Sequence, residues 1–354
     1  MDMSGRRTVL RTALWAKVVK RNNEEQKMSG KETVVLLVHG ANQARKSKQK
    51  NEKLWNDALS TDTYAKKVLA LIDGEDNQAI AEYHAAKHPA SDYPAYGRWV
   101  APWYGSVWKE VSATAKPFGA RLNGSANKDE KERTVLLERI QRKNMRQHFD
   151  ELVPFYELAV RKDNGETLYE SICKAFLDQL IAATEDGEKA YVLVGHSMGC
   201  AVTYNVMTHI SCAAAAREYC PIDGALSSEY RQKVADFAAK GARCFGLLTF
   251  GNYTGYNWCQ RLNHKLLFGE AKETFVYPDA VGRWYNFWTV AGGDPYIIDD
   301  RLSDTMVDGQ GGRYDDVAVF RVPGSAIGHG RGTWFGRKNF STKLREKMAY
   351  HLYT

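Results

Sequence analysis

Short runs of consecutive apolar residues alternate along the chain with longer stretches in which apolar residues recur every three or four positions. The run Val34–Val38 is apolar throughout and ends at His39-Gly40, as expected of a parallel strand buried on both faces. Similar runs predict further strands at 99–103, 191–194, 245–250, 284–290 and 317–320. Pro102 ends the second strand or confines it to the edge of the sheet.

The stretches between these runs have the spacing of helices that pack on such a sheet. A helical pattern covers about 134–185 and ends at Asp186-Gly187, and another is expected from Cys200 to Ile210. Residues 43–53 are rich in Lys and Gln and predict a solvated loop. Alternating strands and helices predict an α/β protein with a mostly parallel central sheet flanked by helices.

Length and composition divide the chain into a short N-terminal segment and one large domain. The 354 residues, 44% of them apolar, suffice for a single α/β domain with insertions. We assign 1–31 to a basic amphipathic segment and linker, and 32–354 to the domain. Insertions near 42–97, 105–133 and 252–283 are expected to form a cap or lid. The stretch 252–288, which contains the third insertion, is rich in aromatic residues, which suits either the apolar wall of a binding cleft or ordinary packing.

Charge and cysteine content narrow the partners and the compartment. The net charge of +7 fits a solvated basic surface, and no nucleic-acid-binding motif accompanies it, so no nucleic-acid partner is expected. Six cysteines without a CxxC spacing suit a reducing, cytoplasmic environment. Arg6-Arg7 resembles an export signal, but Arg11 and Lys17 interrupt the apolar run that must follow. The N-terminal segment could instead touch a membrane surface peripherally, and no run reaches the length of a transmembrane helix.

The motif Gly195-His196-Ser197-Met198-Gly199 matches the pattern G-x-S-x-G. A strand precedes it and a helix follows, which is the context of a nucleophilic serine on a sharp strand-to-helix turn. Gly195 and Gly199 remove Cβ atoms that would clash in so tight a turn. His196 is expected to point away from Ser197 and to pack. The pattern predicts Ser197 as the nucleophile and the Met198 amide as one donor to an oxyanion.

A serine nucleophile needs a base and an acid that orients it. Of the histidines after Ser197, His329 lies in a Gly-rich loop after the last strand, whereas His264 and His351 suit structural positions. Asp294 follows the strand at 284–290 and is the predicted acid; Asp299, Asp300 and Asp304 compete with it in a run of charges. Here the acid would hold the neutral tautomer of His329.

The loop after the first strand is the predicted source of the second oxyanion donor. Gly40 permits close backbone approach, and the amide of Ala41 is the predicted donor, with Gly40 itself as the alternative. His39 is expected to pack beneath this loop.

Together these residues give the chain a resemblance to the α/β-hydrolase superfamily, and to bacterial lipase- and esterase-like serine hydrolases within it. The resemblance rests on Val34–Gly40, the GHSMG motif, the segment Trp284-Tyr285-Asn286-Phe287 leading to Asp294-Pro295, and His329-Gly330-Arg331-Gly332-Thr333-Trp334. It implies ester hydrolysis through an acyl-enzyme, with no cofactor and no metal, on a small-molecule or lipid acyl ester.

The same catalytic residues serve several reactions, so alternatives to an esterase or lipase stay open. A membrane-acting phospholipase effector, a thioesterase or a peptidase would use the same triad. A non-catalytic binding protein would not need Ser, Asp and His in this order.

Overall fold

The computed structural model describes residues 32–40, 47–88, 93–107, 155–156, 162, 164–215, 226–254, 257–289, 302, 312–320 and 329–352. Within these ranges the strands are β1 (Thr33–Val38), β2 (Tyr96–Val100), β3 (Tyr191–His196), β4 (Cys244–Phe250), β5 (Val281–Thr289) and β6 (Tyr314–Val319). The helices are α1 (Lys48–Leu59), α2 (Thr63–Ile72), α3 (Asn77–Lys87), α4 (Leu168–Ala183), α5 (Met198–Ala214), α6 (Ser228–Lys240), α7 (Asn257–Phe268), α8 (Arg331–Phe335) and α9 (Lys338–Glu346). A π-helical turn, Lys347–His351, continues α9.

The six strands form one all-parallel sheet in the order β2-β1-β3-β4-β5-β6. The α/β class and the parallel sheet predicted from the sequence are therefore confirmed. After β1 the chain moves to β2 on one side, whereas after β3 it moves to β4 on the other. The carboxyl ends of β1 and β3 thus flank a topological switch point, the place where open α/β sheets form a ligand crevice.

Helices cover both faces of the sheet, because successive strand residues point to opposite sides. In β1, Val34, Leu36 and Val38 join the core beneath α4–α7, whereas Val35 and Leu37 join the core beneath α1, α2 and α9. A strand buried on both faces must be apolar at every position, which explains the unbroken apolar run in the sequence.

Two sequence predictions on the α1–α3 side need correction. The solvated loop predicted for 43–53 is wrong for its second half, because α1 begins at Lys48, with the Ser47 side chain accepting a hydrogen bond from the Lys50 amide. Lys and Gln occupy the exposed side of this helix, while Asn51 and Trp55 are buried. The second strand is displaced toward the N-terminus of its prediction and ends at Val100.

Three aromatic residues of the stretch 252–288 pack in the core. Phe275, Tyr277 and Trp284 are buried in the core beneath α4–α7, and Trp284 also contacts the ring of Tyr204 in α5. Packing, rather than an acyl-binding wall, is thus the observed role of these three residues.

The N-terminal segment 1–31 lies outside the described residues, as do 41–46 and most of the insertion at 105–133. Within the described ranges, no helix combines the length and apolar character needed to cross a bilayer. Five cysteines are described, and each is buried as a thiol.

Candidate active site

Ser197 occupies the turn between β3 and α5 with backbone angles φ 54° and ψ −122°. This conformation is rare for a residue with a Cβ and costs on the order of 1–3 kcal/mol. The turn is held by two backbone hydrogen bonds: the Ser197 amide donates to the Phe250 carbonyl at 3.2 Å, and the Cys200 amide donates to the Ser197 carbonyl at 2.9 Å. The side chain is 8% exposed. The surrounding structure therefore stabilises a strained serine at the carboxyl end of a central strand.

The two glycines of the motif are needed because the turn is crowded. A Cβ on Gly199 would lie 2.5 Å from the Val38 carbonyl oxygen and 2.7 Å from that of His39. A Cβ on Gly195 would lie 3.2 Å from the Thr203 hydroxyl. Helix α5 can consequently start directly against the end of β1, which brings the loop after β1 beside Ser197.

Gly40 is the point at which that loop meets the serine. A Cβ on Gly40 would lie 2.6 Å from the Cβ and 3.1 Å from the Oγ of Ser197. Only a glycine allows the backbone so close to the hydroxyl. Main-chain atoms of the loop after β1 therefore line the space around the Ser197 oxygen.

His39 supports this loop from below. It is fully buried, its Nδ1 donates to the Gly40 carbonyl at 2.7 Å, and its ring stacks on Tyr104 with centroids 4.0 Å apart. The Tyr104 hydroxyl donates to the His39 carbonyl at 2.5 Å, and the Tyr104 amide faces His39 Nε2 at 3.4 Å. The structure thus gives His39 the packing position expected from the sequence.

Met198 is the first residue of α5, a helix of 17 residues. The amides of a first helical turn have no intrahelical acceptor and carry the positive end of the helix dipole. An oxyanion forming at Ser197 would lie next to this terminus, which suits the Met198 amide as a donor.

The ring of His329 lies over Gly251, the residue that follows β4. A Cβ on Gly251, whose φ is +57°, would lie 3.0 Å from Cε1 and 3.2 Å from Nδ1 of His329. The preceding carbonyl, that of Phe250, accepts the Ser197 amide. The structure therefore brings Ser197 and His329, 132 positions apart in the sequence, to adjacent positions at the carboxyl edge of β3 and β4.

His196 contacts His329 directly. Its Nε2 donates to the His329 carbonyl at 2.7 Å, and the two rings have centroids 5.0 Å apart. Its ring also packs on Phe250 at 4.8 Å. His196 is buried as expected, but its bond to the His329 main chain was not predicted. Nothing in the sequence pattern links the two positions, since the contact depends on the placement of His329 at the carboxyl edge of β3.

The other two histidines weighed as bases, His264 and His351, occupy structural positions. His264 Nδ1 donates to the Glu270 carbonyl at 2.7 Å, within the segment around α7. His351 lies in the π-helical turn, where its carbonyl accepts the Tyr285 hydroxyl at 2.9 Å. Asp294, its competitors Asp299, Asp300 and Asp304, and Ala41 lie outside the described residues.

A buried cation lies two residues after His329. Arg331 is 8% exposed, and its Nη1 donates to the Asn51 Oδ1 at 3.0 Å. Burial lowers the pKa of the Arg331 guanidinium to about 10, a direction that the nearby Tyr104 phenol opposes. The group is therefore cationic at neutral pH and poorly hydrated.

Comparison of the chain with protein-family models, with curated proteins and with solved structures finds no match. The chemistry of the site has to be argued from its own geometry.

Proposed function

We propose that the chain is a serine hydrolase of the α/β-hydrolase type that cleaves carboxylic esters through an acyl-enzyme. The observation that carries the proposal is the conformation of Ser197. A serine held at φ 54° between a central strand and a helix, with a glycine backbone against its hydroxyl, is the arrangement of a nucleophile elbow. A merely structural serine has no need of such strain.

Three further features support this function. The serine lies at the switch point of the sheet, where ligands bind in α/β proteins. His329 approaches the same edge over Gly251. The start of α5 and the backbone at Gly40 supply main-chain groups on two sides of the serine.

In the proposed reaction, Ser197 Oγ attacks the acyl carbonyl while His329 takes the hydroxyl proton. The Met198 amide and an amide of the loop after β1, predicted to be that of Ala41, stabilise the tetrahedral oxyanion. His329 then gives its proton to the leaving alcohol, and an acyl-enzyme remains. Water attacks the acyl carbon with His329 as base, which releases the acid and restores Ser197. Asp294 is the proposed partner that orients His329.

The hydrogen bond from His196 to the His329 carbonyl suggests how the base is held. It anchors the main chain of His329 to the strand that carries the nucleophile. Since the bond is to the backbone, the imidazole of His329 can still rotate about its own side-chain bonds. We assign His196 as a positioning residue.

Hydrolysis of p-nitrophenyl esters from two to sixteen acyl carbons tests the proposed function. Ser197→Ala should lower kcat by about 10⁴–10⁶-fold, since residues of a triad act as a unit. His329→Gln should cause a loss of at least about 10³-fold, whereas His351→Gln, the matched control, should stay within about threefold of the wild type. The chain-length profile separates an esterase from a lipase.

A covalent probe makes the test independent of the substrate. A fluorophosphonate reacts with an activated serine, so that Oγ displaces fluoride and one phosphonyl group is added per chain. Mass spectrometry should locate this adduct on Ser197 and find none in Ser197→Ala. A wild-type protein that takes up no phosphonate and hydrolyses no ester, thioester or phospholipid would refute the proposal.

A further inference from the structure

Three buried hydrogen-bond donors meet on the α1 side of the sheet, close to the proposed active site. We call Asn51, Trp55 and Arg331 the donor cluster. Asn51 and Trp55 are one helical turn apart on the buried face of α1, and Arg331 is the first residue of α8. The guanidinium lies over the Trp55 ring, 4.6 Å from its centroid.

The donor cluster has more donors than acceptors. Asn51 Oδ1 faces Arg331, so its Nδ2 points elsewhere, and within the described chain this fully buried atom has no hydrogen-bond partner. The same holds for the indole Nε1 of Trp55. A buried donor without an acceptor costs about 1–3 kcal/mol. A ligand that supplies the acceptor would remove this cost.

The charge of Arg331 has no counterion within the described ranges. The other strongly buried guanidinium nearby, that of Arg337, lies over Trp334 and adds positive charge to the same face of the sheet. Among the described residues, Arg331 donates a single hydrogen bond, the one to Asn51. A guanidinium has five donor hydrogens, and its fork matches a carboxylate or a phosphate.

Contacts connect the donor cluster to the site around Ser197. Trp55 packs edge-on against Phe250, with centroids 6.3 Å apart, and the Phe250 carbonyl holds the Ser197 amide. On the other side, Arg331 is near Tyr104, which stacks on His39 below Gly40. Arg331 is also two residues from His329.

We propose that the donor cluster binds a carboxylate or phosphate group of the substrate, with Arg331 as the principal ligand. The protein would then select acyl esters that carry a negative charge at a distance from the reacting carbonyl. That the bound anion is part of the substrate rests on the proposed function. That the donor cluster binds an anion does not.

Calorimetric titration tests anion binding independently of catalysis. Wild type and Ser197→Ala are titrated with inorganic phosphate and with succinate in a buffer of constant ionic strength, with chloride as the reference anion. We expect saturable binding of at least one of the two to both proteins. Phosphate preferred over succinate would indicate a phosphate-bearing substrate, and the reverse order a carboxylate-bearing one.

Two variants of Arg331 and one matched control locate the binding. Arg331→Met should weaken binding by at least about tenfold, and Arg331→Lys, which keeps the charge but loses the fork, by about threefold to tenfold. Arg313→Met is the control, because Arg313 also lies over an aromatic ring, that of Tyr277, but donates to Asp279 at 3.2 Å. It should leave binding unchanged. Circular dichroism confirms that each variant is folded.

Two outcomes would contradict the proposed anion site. If the wild type binds neither anion more tightly than chloride, or if both Arg331 variants bind like the wild type, the proposal is wrong. If anions bind through Arg331 but Ser197 takes up no phosphonate and no ester, thioester or phospholipid is hydrolysed, the anion site stands and the hydrolase proposal fails.

Discussion

Two groups of buried polar side chains lie on opposite faces of the sheet and differ in how their hydrogen bonds are made. Beneath α4–α6, the His209 ring lies between the hydroxyls of Tyr169, 3.1 Å from Nε2, and Tyr230, 2.9 Å from Nδ1. The Tyr169 hydroxyl donates to Asn205 Oδ1 at 2.8 Å, and Asn205 Nδ2 donates to the Ala201 carbonyl. In these four side chains every polar atom has a partner.

The donor cluster on the other face has a buried cation, a buried amide and a buried indole, but a single hydrogen bond among them. Fully paired networks rigidify a core, whereas partly paired ones are unfavourable unless something completes them. The comparison teaches that burial of polar groups alone does not separate a structural role from a binding role. The two roles are distinguished by whether every buried donor has an acceptor.

The largest expected effect distinguishes the two groups by their contribution to folding. His209→Leu removes both ring nitrogens from a network that joins three helices, so we expect a loss of about 3–4 kcal/mol in the free energy of unfolding. Arg331→Met also gives up a hydrogen bond, but it removes a desolvated charge, and the loss should not exceed about 1.5 kcal/mol. Urea unfolding measures both. If both variants lose the same free energy of unfolding, the two groups do not differ in their contribution to folding.

Of the two groups, only the His209 network should make the free energy of unfolding depend on pH. Burial lowers the pKa of His209 from 6.5 to about 3, and Arg231 acts in the same direction. Because the unfolded state takes up this proton first, the stability due to neutral His209 is complete above pH 6.5 and is lost as the pH falls toward 3. Between pH 7.5 and pH 5 the loss is about 2 kcal/mol.

Unfolding of the wild type and of His209→Leu at both pH values isolates this contribution, since other titrating groups are common to the two proteins. The difference between them should shrink by about 2 kcal/mol at pH 5. The difference between the wild type and Arg331→Met should not change over the same range. A His209→Leu protein with an unaltered pH dependence would contradict the assignment.

The sequence predicted the parts of this molecule that depend on local pattern. Strands buried on both faces read as unbroken apolar runs, and the glycines around Ser197 are demanded by the turn itself. The first half of α1 was predicted as a loop because it is rich in Lys and Gln and its one buried residue before position 54, Asn51, is polar. The apolar residues that pack inward, Trp55, Ala58 and Leu59, come only in the second half.

Contacts between distant segments could not be predicted in this way. The bond from His196 to the His329 carbonyl joins residues 133 positions apart, and that from Arg331 to Asn51 spans 280. Neither pair has a spacing that a single sequence reveals, because both depend on which distant segments the fold brings together. For the same reason the sequence marks Arg331 only as part of the segment His329–Trp334.

The smallest expected effect is also the sharpest test of the donor cluster. Asn51→Asp replaces the amide by a carboxylate of nearly the same shape, with one oxygen already 3.0 Å from Arg331 Nη1. The substitution gives the guanidinium a counterion and removes the unpaired amide donor. We expect a gain of about 1 kcal/mol in stability, because the gain from pairing is partly offset by desolvation of the carboxylate. Anion binding should be lost.

A double-mutant cycle tests whether the effect of Asn51→Asp on stability depends on Arg331. In an Arg331→Met background the same Asn51→Asp change buries a carboxylate without a cation and should destabilise the protein by about 2 kcal/mol or more. If Asn51→Asp raises stability while phosphate or succinate still binds as tightly as to the wild type, the anion does not bind at Arg331. If stability rises and binding disappears together, the acceptor missing from this buried cluster is the group that a ligand supplies.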